Sequence, residues 1–160
     1  MKAIVIGCPG SGKTTFAKEL HKKTNIPLYH LDAIWHRPDR THITRDEFCE
    51  KLSEIFAEEQ WIIDGNYAST VEQRLCECDT VFLFDLPTEV CLKGAMERLG
   101  KERNDIPWVE NKLDPEFKKS IENFSTYILP YIYELIDRQG SGKNIVIFRS
   151  REQANEFLSK

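Results

Sequence analysis

Short apolar runs alternate along the chain with stretches whose apolar residues recur every three or four positions. The runs "KAIVI" (2–6), "PLYHL" (27–31), "WIID" (61–64), "TVFLFD" (80–85) and "NIVIF" (144–148) are mostly apolar and rich in β-formers. That is the pattern of strands covered on both faces of a parallel sheet. Between them, Phe48, Leu52, Ile55 and Phe56 share one helical face, and Phe117, Ile121, Phe124 and Ile128 form a stripe on a longer helix. Start signals punctuate these segments. "TRDE" (44–47), "TVEQ" (70–73) and "SREQ" (150–153) read as capping boxes, Thr88 and Glu89 open a further helix, and Asp114 before Pro115 begins the long one. Pro130 is expected to kink or divide that helix, because it lacks an N–H and crowds the preceding turn.

The alternation β-α-β-α-β-α-β-α-β-α predicts a three-layer α/β/α sandwich around a five-stranded parallel sheet, with ligands at the carboxyl ends of the strands. Residues 1–160 carry no repeat, no low-complexity stretch and no linker, so one domain is expected. The segment "LGKERNDIPWVENKL" (99–113) has no clear period and reads as a short functional lid.

Composition changes this picture only by exclusion. Apolar content of 41% and charged content of 30% are ordinary for a globular chain. The first residues already begin a strand and no apolar run approaches membrane-spanning length, so a cytoplasmic protein without a membrane partner is expected. The five cysteines are scattered through predicted elements, which points to reduced thiols. "CEC" (76–78) has no second Cys or His pair at zinc spacing. A net charge of −4 without a visible basic stripe argues against direct nucleic-acid binding.

Chemistry enters at "GCPGSGKTT" (7–15), between the first strand and the first helix. Gly7, four residues, then Gly12, Lys13 and Thr14 fit the phosphate-binding loop. Such a loop turns several backbone N–H groups onto one anion, which requires glycines at tight positions, and the following helix adds its positive end. Gly7, Pro9, Gly10, Ser11, Gly12, Lys13, Thr14 and Thr15 are therefore the expected nucleotide contacts. Lys13 would reach the β- and γ-phosphates of ATP, and the Thr14 hydroxyl would ligate Mg²⁺.

Acidic residues end three other strands: Asp32 in "YHLDAIW", Asp64 in "WIIDGNY" and Asp85 in "VFLFDLP". An Asp there is also a common helix cap or turn residue. Asp64 has the stronger functional case, since a metal–nucleotide complex needs a carboxylate near Thr14. Asn66 and Tyr67 line the same mouth if "DGNY" ends the third strand, and Arg74 follows one helical turn later with its charge directed to the acceptor.

The frame "GxPGSGKTT … DGxY … FDxP … R" resembles the adenylate-kinase-like P-loop kinases. "GCPGSGKTTFAKEL", "HLDAIWHRP", "WIIDGNY" and "CDTVFLFDLP" are similar, more closely, to the bacterial DNA topology modulation proteins. The resemblance covers nearly the whole chain. It implies a nucleoside-monophosphate-kinase-like P-loop fold, ATP and Mg²⁺ as cofactors, and transfer of the γ-phosphoryl to a small-molecule acceptor. By it, Lys13 and Thr14 hold phosphate and metal, and Asp64 holds the metal's water shell. Arg98 stands where such kinases place a lid arginine that neutralises the transferring group, and Arg103 is a second candidate. Asp32, Trp35, His36 and Arg37 fall where relatives bind the acceptor. Asp32 would orient or deprotonate a hydroxyl, and Arg37 would pair with an acceptor phosphate. Trp35 offers either a stacking face or core filler. The exit of the last strand (149–153) falls where relatives contact the base.

One departure bears on the acceptor. Adenylate-kinase-like enzymes follow their Asp-Gly with Phe-Pro-Arg, and here Ala68 stands in the arginine's place. AMP is accordingly expected to be a poor acceptor unless Arg37 or Arg74 supplies the charge. The name of the resembling family also allows a nucleotide-dependent regulator without a dedicated acceptor, but a pure regulator has no need of both Asp32 and Arg98 at the mouth. "NKLD" (111–114) and "GSGK" (140–143) echo nucleotide motifs in the wrong context, the first with no buried strand before it and the second ending a helix.

Overall fold

The computed structural model describes residues 1–103 and 106–160. Five strands, β1 (Lys2–Gly7), β2 (Leu28–His30), β3 (Trp61–Asp64), β4 (Thr80–Phe84) and β5 (Asn144–Phe148), form one sheet in the order β2-β3-β1-β4-β5. Every pairing is parallel. The apolar runs explain why: Ala3, Ile4, Val5, Ile6, Ile62, Ile63, Val81 and Leu83 are all fully buried, which only a sheet covered on both faces achieves.

The helices are α1 (Lys13–Thr24), α2 (Leu31–Trp35), α3 (Arg45–Phe56), α4 (Ala68–Glu77), α5 (Thr88–Glu97), α6 (Pro115–Asn123), α7 (Leu129–Gln139) and α8 (Arg151–Ser159). Because β1 sits between β3 and β4, successive crossovers leave it in opposite directions. The crevice of an open α/β sheet lies at such a switch point, beyond the strand ends. Val5 is level with both Asp64 and Phe82, so the ends of β1, β3 and β4 converge there.

Phe16 fixes α1 on the sheet. Its ring lies 4.9 Å from Phe82, 5.5 Å from Phe84 and 5.1 Å from Phe148, with Phe157 of α8 at 6.1 Å. Burying such a ring is worth about 1.5–3 kcal/mol, and it lies three residues beyond Lys13.

One of the three capping boxes forms in full and a second only in part. Thr44 accepts from the Glu47 N–H at 3.2 Å while Glu47 accepts from the Thr44 N–H at 2.7 Å. Ser150 accepts from the Gln153 N–H, and Gln153 in turn accepts from Arg149 N–H. Asp114 caps α6 through the Glu116 N–H at 2.7 Å. "TVEQ" does not act as a cap. The helix begins earlier, at Ala68, with Tyr67 as its N-cap in the left-handed region, and the Thr70 hydroxyl donates to the Tyr67 carbonyl.

The second strand is shorter than its apolar run, because Leu31 already starts α2. The long helix divides where Pro130 predicts. A π-helical turn, Phe124–Ile128, separates α6 from α7 and widens the backbone just before the residue that has no N–H to give. Among the described residues no helix is long and apolar enough to cross a membrane. Residues 104 and 105 of the expected lid lie outside the described residues.

Candidate active site

The loop after β1 takes its shape from backbone geometry. Gly10 (φ +83°) and Gly12 (φ +100°) occupy the left-handed region, and the Ser11 N–H closes a turn onto the Cys8 carbonyl at 3.1 Å. A side chain at Gly10 would meet the Cys91 carbonyl of α5 at 2.0 Å. One at Gly94 would meet the Gly10 carbonyl at 2.1 Å. Loop and α5 therefore touch backbone to backbone. Arg151 of α8 closes the other side, donating from Nη2 to the Gly10 carbonyl at 2.8 Å and from Nε to the Ser11 carbonyl at 3.3 Å. Arg151 thus occupies the Gly10 and Ser11 carbonyls, and anion binding requires a loop's N–H groups to turn inward.

Cys8 of the loop and Cys91 of α5 are both buried side by side, and the neighbouring Cys91 thiol together with burial pushes the Cys8 thiol above its ordinary range. Cys8 thus stays an uncharged packing residue beneath the phosphate site.

Two cavities open beside Lys13. The first, about 380 Å³, runs between α1, α5 and α8 and is walled by Gly12, Thr15, Gly94, Glu97, Arg151 and Asn155. The second, about 390 Å³, is walled by Asp32, His36, Gly65, Asn66 and Tyr67 on one side and by Arg103, Ile106, Trp108, Glu110, Asp114 and Phe117 on the other. Lys13, Thr14 and Arg98 line both. Three residues named from the sequence thus stand where the cavities adjoin. Lys13 is only 9% exposed.

Arg103, Ile106, Trp108 and Glu110 of the expected lid line the second cavity. The Gly100 N–H donates to the Glu110 carbonyl at 2.7 Å, closing the base of the loop, and Arg103 bonds Glu110 across it at 3.1 Å. Ile106, Trp108 and Glu110 face the cavity, and the Trp108 ring stands edge-on to His36 at 5.1 Å.

Residues 65–67 strap the two halves of the site together. Asn66 Oδ1 accepts from the Gly7 N–H at 3.0 Å, tying the strap to the phosphate loop. The Tyr67 hydroxyl donates to Asp32 Oδ1 at 2.8 Å. Burial, reinforced by the Asp32 charge, pushes the Tyr67 phenol upward, so it remains a donor. Beneath the strap lies Arg74, fully buried. It donates to the carbonyls of Gly65 (2.9 Å), Asn66 and Tyr67 (3.3 Å) and to the Thr70 hydroxyl (3.1 Å). Burial lowers its pKa to about 9, still above neutrality, so it is a cation at pH 7.

Asp64 ends β3 at 4% exposure. His30 Nδ1 donates to its Oδ2 at 2.9 Å, and its Oδ1 is buried with no protein donor among the described residues. Neither cavity wall includes Asp64. An orphaned carboxylate oxygen and the Thr14 hydroxyl are hard oxygen donors that suit Mg²⁺. That ion characteristically takes one or two protein oxygens and completes its shell with phosphates and water. Among the described residues no three His, Cys, Asp or Glu side chains converge to cage a metal by themselves.

Other expectations are redirected. Arg37, expected on an acceptor phosphate, instead points to Glu47 at 3.8 Å and lines neither cavity. Arg74 is not at the mouth but beneath the strap. Trp35 is filler, stacked on His42 at 4.4 Å and edge-on to Phe48. Asp85 is a structural junction, accepting from the Tyr133 hydroxyl and from Arg149, both at 2.7 Å. As site residues, Gly94, His30 and Trp108 go unnamed in the sequence, Asp114 enters only as a helix start, and Arg151 only within the strand exit 149–153. Only Gly94, a glycine inside a helical pattern, carries a local signal that could have found it.

No family model matches the chain. An adenylate kinase of Thermotoga neapolitana is 32% identical over 84 residues, 51% of this chain and 37% of that enzyme. Those of Thermotoga petrophila and Thermotoga maritima match to the same extent. The chain thus spans 37% of the length of these relatives. Among solved structures, shikimate kinase from Aquifex aeolicus superposes with a TM-score of 0.55 at 20% identity. Shikimate kinase from Acinetobacter baumannii, in complex with shikimate, does so with 0.63 at 15%. Each superposition covers 99% of this chain and 92% of the other. The chain has the three-layer fold of the P-loop kinases, in its nucleoside-monophosphate-kinase-like form.

Proposed function

We propose that the protein is a phosphotransferase that moves the γ-phosphoryl of Mg²⁺–ATP to a hydroxyl of a small molecule. The observation that carries this reading is the junction of two cavities at Lys13, Thr14 and Arg98. A protein that only senses a nucleotide needs one cavity. A kinase needs two, meeting where the phosphoryl passes.

In this reading ATP occupies the first cavity, with its phosphates on the backbone N–H groups of residues 10 and 12–15 and its nucleoside toward α8. Lys13 and Arg98 stand where negative charge accumulates on the transferring oxygens, which is the main electrostatic demand of phosphoryl transfer. Mg²⁺, held by the Thr14 hydroxyl and through water by Asp64, would supply further neutralisation of the β- and γ-oxygens. Asp32, steadied by the Tyr67 hydroxyl, aligns the acceptor hydroxyl and takes its proton. The segment 99–113 excludes water, which would otherwise compete as acceptor.

The test is ADP formation from Mg²⁺–ATP with γ-labelled phosphate, using pooled nucleosides, nucleotides, sugars and polyols. The expected result is ADP release well above that in water alone, with label recovered on an organic acceptor and lost in Arg98→Ala. ADP release no faster with the pool than with water would refute the kinase reading.

A further inference from the structure

The second cavity carries a charge arrangement that narrows the acceptor. Resting on the phosphotransferase reading, we propose that it takes an uncharged polyhydroxyl acceptor, a sugar, cyclitol or nucleoside ribose, and discriminates against phosphate monoesters.

A site for a phosphorylated acceptor needs cations apart from those serving the γ-phosphoryl, because charge-assisted contacts carry phosphate recognition. Besides Arg98, which both cavities share, Arg37, Arg40, Arg74 and Arg103 stand near the second cavity, and each is placed for something else. Arg37 turns outward to Glu47 at 3.8 Å. Arg74 is fully buried beneath the strap, its three nitrogens engaged by oxygens of residues 65–70. Arg40 lies over the Trp108 ring, 5.7 Å from its centre, and is not part of the cavity wall. Arg103 does reach the wall, but bonded to Glu110. Apart from the imidazole of His36, the remaining cations there are Lys13 and Arg98, which the first cavity shares.

Beyond the Arg103–Glu110 pair the wall carries further carboxylate and aromatic groups. Asp32 and Asp114 bring two carboxylates, while Tyr67, Trp108 and Phe117 bring ring surface. Carboxylates accept strongly from hydroxyls and repel a phosphate dianion. Aromatic rings give a flat apolar surface on which the C–H face of a sugar ring rests. Asp32 has one oxygen held by the Tyr67 hydroxyl at 2.8 Å, which leaves the carboxylate oriented and still able to accept. A volume of about 390 Å³ is in the range of small-molecule sites.

The experiment uses the full chain with Mg²⁺–ATP and measures kcat/KM by ADP release. The separate acceptors are glucose, ribose, myo-inositol and the four common ribonucleosides, beside AMP, ribose 5-phosphate, shikimate and glucosamine. At least one uncharged compound is expected to exceed AMP and ribose 5-phosphate by a hundredfold or more. Asp114→Asn keeps a good helix cap while removing a charge. It is expected to raise KM for the uncharged acceptor severalfold and to narrow its advantage over AMP about tenfold, with unchanged circular dichroism. A higher kcat/KM for a phosphate, carboxylate or ammonium compound than for every uncharged one overturns the proposal and leaves the kinase reading standing. So does discrimination untouched by Asp114→Asn. No turnover above water with any acceptor overturns both.

Discussion

Arg74→Met should destabilise the protein by about 3 kcal/mol, although the arginine touches neither cavity. Methionine is unbranched and fills much of the same space, so packing loss is small. What disappears is a cation held by the carbonyls of Gly65, Asn66 and Tyr67. Hydrogen bonds to a charged group are worth about 1.5–3 kcal/mol each, giving roughly 4.5–9 kcal/mol gross for three. Relief of the buried cation's desolvation, several kcal/mol, offsets part of that. For a chain of this size the net corresponds to a fall in Tm of about 6–12 °C. Urea unfolding at pH 7, followed by circular dichroism, measures it. Because the strap also ties Asn66 to Gly7 and Tyr67 to Asp32, KM for the acceptor should rise together with Kd for ATP. Arg74→Lys restores a charge without the planar fork and should recover only part of the loss. Stability of Arg74→Met within about 0.5 kcal/mol of wild type, the range of an ordinary surface change, would show that the guanidinium does not hold the strap.

Lys13→Ala should weaken ATP binding roughly ten- to a hundredfold, the loss of a charge-assisted contact, as read by calorimetry. Because Lys13 is buried and cationic, thermal stability without nucleotide should hold or rise. Gly94→Ala should lower Tm and raise Kd for ATP. The new methyl would meet the Gly10 carbonyl at 2.1 Å, and such overpacking costs about 1–3 kcal/mol against about 1 kcal/mol gained in helix propensity. A more stable Gly94→Ala with normal ATP affinity would refute the backbone contact. Phe16→Ala should cost about 3–5 kcal/mol by urea unfolding, since four aromatic rings lose a common neighbour. A cost under about 1 kcal/mol would mean that α1 is anchored elsewhere.

What could be read from the sequence is what depends on neighbours along the chain. Strands buried on both faces, helices with an apolar stripe, the cap at Thr44 and the break before Pro130 are each set by residues within a few positions. The phosphate loop is legible for the same reason, since its glycines, Lys13 and Thr14 act through one continuous turn. Tertiary structure decided how side chains far apart in sequence partner one another. Arg74 and Arg37 looked alike as cations near the mouth. The first lies under the strap, where the carbonyls of Gly65, Asn66 and Tyr67 accept from it, and the second faces a helix-start glutamate. Asp64 and Asp85 both end strands, yet His30 leaves Asp64 one unpartnered oxygen, while Tyr133 and Arg149 both bond one oxygen of Asp85. Trp108 and Asp114 line the second cavity from a stretch that shows no periodicity in the sequence. No local pattern encodes such a contact, because its energy comes from surfaces that meet only once the sheet has assembled.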